Sequence, residues 1–68
     1  MTTTLENHGF TRHADGLWRR KSIIKLAVAL VEDRATVLME ADYRGPELLT
    51  TFADAARLDQ WLTLTGGK

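Results

Sequence analysis

The stretch IKLAVALVEDRATVLMEADY, residues 24–43, decides the fold. Its first half alternates. Ile24, Leu26, Val28 and Leu30 fall on one side of an extended chain, and Lys25, Ala27, Ala29 and Val31, with Ile23 before them, fall on the other. A period of two is the mark of a β-strand with one buried face. Glu32-Asp33-Arg34 makes a polar turn. Alternation then resumes, with Val37, Met39, Ala41 and Tyr43 on one face and Thr36, Leu38, Glu40 and Asp42 on the other. Two such runs joined by a short polar break form an antiparallel pair.

Working outward, the preceding segment GFTRHADGLWRRK, residues 9–21, reads as a second hairpin. Asp15-Gly16 is a turn dipeptide, because glycine adopts the positive φ such turns require. Two registers are open. A two-residue loop pairs Ala14 with Leu17 and sets Phe10 against Lys21. A three-residue Ala-Asp-Gly loop pairs His13 with Leu17 and Arg12 with Trp18. Only the second puts Phe10 and Trp18 on one face, where both rings can be buried, and it is preferred on that ground.

On the other side, Arg44-Gly45-Pro46 breaks the pattern. Glu47-Leu48-Leu49-Thr50 reads either as a short edge strand or as the approach to a helix. TFADAARLDQWLTLT, residues 51–65, is the best helix in the chain. Ala55, Leu58, Trp61, Leu62 and Thr65 form one stripe at helical spacing, with Phe52 near its start. Thr51 followed by Asp54 resembles a capping box, and Gly66-Gly67 ends the run. At the N-terminus, TTTLENHG can form one helical turn, capped by a threonine, with Glu6 complementing the helix dipole and Gly9 as its stop.

The predicted fold is therefore α+β. A four- to five-stranded antiparallel meander carries one C-terminal helix on one face, with a short N-terminal helical turn. The expected core is Phe10, Trp18, Ile24, Leu26, Val28, Leu30, Val37, Met39, Leu58, Trp61 and Leu62. The other face of the sheet has no helix to cover it, unless the N-terminal segment folds across it or two copies pack together.

Size and composition narrow the function. With 68 residues and no cysteine, the chain is read as a single small domain, 1–68, with neither disulfide staples nor a cysteine-based zinc site. A domain of this size is marginal alone and gains from a tight core, a partner or self-association. Its most apolar run, residues 22–31, contains Lys25 and is half the length of a membrane span of about 20 residues. The N-terminal stretch has no basic segment followed by an apolar run, so no secretory leader is read. A cytoplasmic protein with no membrane partner is expected.

Catalysis finds little support. His8 and His13, near Asp15, do not share a strand face, and the closing TGGK lacks the phosphate-loop spacing. The single serine, Ser22, has no histidine or acid at a recognised spacing. Glu40 and Asp42 share a face that solvent would reach. No catalytic residue, metal ligand or cofactor is expected, and the chain is not read as an enzyme.

Charge is balanced overall, nine basic against nine acidic residues, but unevenly placed. Residues 1–30 hold five basic and two acidic residues, and residues 31–68 hold four and seven, a net +3 against −3. Arg12, Arg19, Arg20 and Lys21 beside Trp18 have the makings of a single-strand nucleic-acid contact. Alternation splits that cluster, since Arg19 and Lys21 point one way and Arg20 points with Trp18. Glu40 and Asp42 are cross-strand partners for Lys25 and Arg19. Nucleic acid is accordingly the second reading and a structural homodimer the third.

The first is a protein partner on the helix-free face. Ile23, Ala27, Ala29, Val31 and Leu38 make it apolar, with charges around them, which is the composition of an interface. The candidate contact residues are Arg12, Arg19, Lys21, Lys25, Leu38, Glu40 and Asp42. Strand addition at the sheet edge is a second route.

The order GFTR, ADG, LWRR, then the alternating hairpin and the closing TFADAARLDQWL, resembles the layout of small proteins encoded by phages and mobile elements. In size, absence of cysteine and absence of a catalytic motif it is similar to anti-CRISPR inhibitors. The resemblance implies a protein that works by occupying a surface of a nuclease or surveillance complex. It carries no diagnostic motif, so no residue role transfers with it.

Overall fold

The structure, a computed structural model, describes residues 1–21, 25–41 and 45–65. Seven elements follow one another: α1 (Thr2–Asn7), β1 (Thr11–Arg12), β2 (Trp18–Arg19), β3 (Leu26–Val31), β4 (Arg34–Ala41), β5 (Gly45–Phe52) and α2 (Ala55–Thr65). The strands form one five-stranded antiparallel meander in sequence order. This is the predicted α+β architecture, with the fifth strand present and eight residues long.

The first hairpin adopts the three-residue register. Arg12 pairs with Trp18 and Thr11 with Arg19, and the His13 N–H donates to the Leu17 carbonyl at 2.8 Å. Gly16, at φ +88°, supplies the left-handed step, and the Asp15 carboxylate accepts the Leu17 N–H at 3.0 Å. Phe10 and Trp18 are consequently both buried. The second hairpin pairs Val31 with Arg34, so only Glu32 and Asp33 turn the chain, and Glu32 takes a positive φ of 56°.

One apolar cluster joins every layer: Leu5 of α1, Phe10, Trp18, Leu26, Val28, Ala35, Val37, and Leu58 and Leu62 of α2. Leu30, Met39 and Trp61 from the expected core are only partly buried and pack against it. Leu5 and Ala35 were not expected there. Ile24 lies outside the described residues, as do Ile23, Asp42, Tyr43, Gly66 and Gly67. The Trp61 ring leans on Phe52 at the end of β5, with centroids 5.8 Å apart and planes tilted by 53°.

The helix ends correct two expectations. Asp54 caps α2 by accepting the Ala56 N–H at 2.9 Å. Thr51 cannot serve, because it is still paired with Thr36 inside β5. For α1 the capping residue is Met1, with no side-chain cap, and no acidic residue sits in the first turn. Gly9 does stop α1 as expected. At φ +85° it lets its own N–H reach Glu6 and the Phe10 N–H reach Leu5, both at 3.0 Å. This is a Schellman ending, sealed by burial of Leu5 and Phe10 at its two apolar positions.

Both helices lie on the Trp18–Val28–Val37 side of the sheet. Leu5 packs into the same cluster as Leu58 and Leu62, and His8 Nε2 meets Asp59 of α2 at 2.7 Å. The N-terminal segment therefore packs with α2 and leaves the opposite face without a helix.

Candidate functional site on the helix-free face

Strand pairing lays out the open face row by row. Thr11, Arg19, Ala27, Leu38 and Leu48 lie in one row across all five strands. Lys25 stands beside Glu40, whose N–H donates to the Lys25 carbonyl at 2.9 Å, and Pro46 follows. Ala29, Thr36 and Thr51 form the row on the other side.

Arg19 is the hinge of this face. Its Nε and Nη2 donate to the two oxygens of Glu40, both at 2.8 Å, and its Nη1 and Nη2 donate to Asp15 at 3.1 and 2.9 Å. One guanidinium thus holds two carboxylates, each by two hydrogen bonds, the geometry in which arginine binds most firmly. The side chains of Arg19 and Glu40 are 25% and 29% exposed, so the pair is half-withdrawn from water. The bonds from Arg19 and Leu17 hold the Asp15 carboxyl at about 2, below its ordinary 3.8. Arg19 likewise holds Glu40 below the usual carboxylate range, and both acids push the Arg19 guanidinium further toward its charged form.

The pair crosses a strand. Arg19 is on β2 and Glu40 on β4, about 10 Å apart at the usual strand spacing, with β3 between them. Ala27 is the residue of β3 paired with both Arg19 and Leu38, and it is fully buried although no helix covers that face. A methyl group there leaves a path for the arginine, whose aliphatic stem shields the strand beneath.

Arg20 shows what the same side chain does one residue later. Its guanidinium sits over the Phe10 ring, 4.9 Å from the centroid, and Nη1 donates to the His8 carbonyl at 3.2 Å. Nε and Nη2 are buried with no hydrogen-bond partner among the described residues. Burial therefore pushes Arg20 down, opposite to Arg19.

The structure brings together Arg19, Lys25, Leu38 and Glu40 from the expected contact set. Lys21 is exposed at the rim of a cleft of about 650 Å³ that His8, Thr11, His13, Arg19 and Arg20 also line. Arg12 is not brought to this face: it is exposed, and its pairing with Trp18 places it on the helix-bearing side. Asp42 lies outside the described residues. Sequence reasoning missed Asp15 as the second partner of Arg19, a relation visible only once the loop length is known. It also missed Leu48 and Leu49, 62% and 43% exposed on β5, because two adjacent leucines carry no alternation to read.

Among the described residues no cluster of three or more acidic or histidine side chains could hold a metal ion, and no helix is long and apolar enough to cross a membrane. Comparison with protein-family models, with curated proteins and with solved structures finds no match for this chain.

Proposed function

We propose that this protein is a non-enzymatic, cytoplasmic binding module that takes a protein partner on its helix-free face and inhibits it by covering the partner's surface. The observation that carries this reading is the pairing of an apolar centre with charges already fixed in place. Leu38 and Leu48 lie side by side, and Arg19 is held from both sides by Asp15 and Glu40. An interface of that anatomy gains from excluding water at its centre and reads its partner at the rim. Charges that are ordered before binding lose little freedom on binding.

The nucleic-acid reading has less support. Trp18 is buried and offers no ring for a base to stack on. Arg19 is neutralised by two carboxylates, which removes it from the basic cluster that reading needs.

The test is capture from nuclease-treated bacterial lysate, with the native chain and Leu38→Lys as paired baits. A stoichiometric protein held by the native chain and lost with the variant is the expected result. Circular dichroism shows that the variant is folded. Recovery only before nuclease treatment, or equal recovery by both baits, overturns the proposal. Salt adds a second reading: a phosphate binder weakens steeply between roughly 50 and 200 mM, and an interface with an apolar centre far less.

A further inference from the structure

The uneven charge of the sequence becomes a difference between the two sides of the sheet. Among the described residues the helix-free face carries four basic side chains, Arg19, Lys21, Lys25 and Arg34, against two acidic ones, Asp15 and Glu40. Arg34 belongs there because it pairs with Val31 and lies four residues from Leu38 along β4, an even step that keeps it on the same face. Glu32 and Asp33, in the turn beside it, line a hollow with Met1, Leu30 and Ala55 and so belong to the helix-bearing side. That side has the opposite balance. Glu6, Asp54 and Asp59, on or beside the helices, and Glu47, paired with Met39, join these two acids against Arg12, Arg20 and Arg57.

The basic excess of the open face stands at its two ends. Lys21 is exposed, and no carboxylate lines the cleft beside it. Arg34 is exposed at the far end, four residues of β3 from the Ala27–Leu38 row, about 13 Å at the usual rise. Neither has an ion-pair partner among the described residues. Between them lie Ala27, Ala29, Leu38 and Leu48, and Val31, 59% exposed, stands next to Arg34.

We propose that the partner taken by the helix-free face is an acidic protein surface, with carboxylates on both sides of an apolar patch. This rests on the reading of that face as the binding surface. Charge complementarity selects the occupant. One carboxylate enters the cleft at Lys21, and another meets Arg34 beyond the apolar row. A basic surface would meet uncompensated cations at both ends, while Asp15 and Glu40 are already bonded to Arg19. A nucleic-acid strand would have to carry its phosphates across Leu38 and Leu48, which strips charge of water without pairing it. The opposite charge of the two sides also turns the open face toward an acidic partner before contact.

Amide spectra of the isotope-labelled chain, titrated with the end-capped peptide Glu-Glu-Leu-Leu-Glu-Glu, test the proposal. Its acids flank two leucines over roughly 20 Å when extended. Shifts are expected at Lys21, Arg34, Leu38 and Leu48, and none with the matching lysine peptide. Lys21→Glu combined with Arg34→Glu is expected to lose the shifts at both ends with an unchanged circular dichroism spectrum. Lys21→Gln with Arg34→Gln makes the same test without charge reversal. Leu38→Lys removes the apolar centre and adds a cation. It is expected to lose the captured partner yet keep the peptide shifts at Lys21 and Arg34, so the two proposals fail separately. No response to the acidic peptide, an equal response to both peptides, or shifts confined to α2 overturns it. A stronger response to a single-stranded oligonucleotide of the same charge does so too. So does a concentration-dependent shift of these residues without peptide, which assigns the face to a second copy.

Discussion

The two faces of this sheet are built from consecutive residues and held by different forces. On one face Trp18, Val28 and Val37 are buried under Leu5, Leu58 and Leu62, with no paired charge in the cluster. On the other, the next residue of β2 is Arg19, and order comes from one guanidinium shared by Asp15 and Glu40 across an alanine. Arg19 and Arg20 carry the lesson in miniature. The same side chain is raised by two carboxylates on the open face and lowered by burial against Phe10 on the other. Apolar area stabilises the first face, and that area is already spent inside the fold. The second face is ordered without being covered, which is what a binding surface requires.

The largest test of this contrast is in the core. Leu58→Ala removes a fully buried side chain and should cost about 2–5 kcal/mol, a large part of the total stability of a domain this small. Thermal melting followed by circular dichroism reads it, and a loss well below 1 kcal/mol would mean that α2 is not seated as described.

Next in size is Ala27→Leu. Overfilling the floor beneath Arg19 should cost about 1–3 kcal/mol and break the reach to Glu40. The Glu40 carboxyl, followed by NMR titration, should then return toward its ordinary 4.5. If it stays low in a folded variant, the arginine does not cross β3 at Ala27.

The acid side of the stability curve is a third, smaller effect. Asp15 and Glu40 both have folded values below their unfolded ones, so their contribution is complete above about 4.5 and is lost as pH falls toward about 2. Arg19→Gln should flatten that part of the curve and leave the neutral-pH spectrum intact. An unchanged slope in the variant would assign the acid sensitivity to other carboxylates.

The smallest effect expected is at Arg20. Arg20→Met keeps a long stem against Phe10 and removes two buried donors that have no partner among the described residues. Stability should stay within about 0.5 kcal/mol of native or rise, since an unsatisfied buried donor costs more than it returns. A clear loss would show that the contacts the guanidinium does make, over the Phe10 ring and to the His8 carbonyl, are stabilising.

Most of the fold was legible because it rests on local rules. Alternation in residues 24–43 places β3 and β4, and the need to bury both Phe10 and Trp18 chooses the hairpin register. The helix stripe at Leu58, Trp61 and Leu62 places α2. What was not legible depends on register across distant strands. The His8–Asp59 contact joins residues 51 apart, and nothing local announces it. Asp15 becomes a partner of Arg19 only through the three-residue loop, and the cap moved from Thr51 to Asp54 because β5 continues to Phe52. Of the candidate surface, the alternating residues Arg19, Lys25, Leu38 and Glu40 were readable, and Leu48, which completes their apolar centre from a neighbouring strand, was not.

The central claim is that the helix-free face is the working surface. It is tested most directly by recording backbone amide spectra of the isotope-labelled chain, alone and with the captured partner. The account predicts shifts concentrated at Arg19, Ala27, Leu38, Glu40 and Leu48, with α2 residues Arg57 and Leu64 unmoved. Shifts concentrated on α2, with the open face silent, would contradict it.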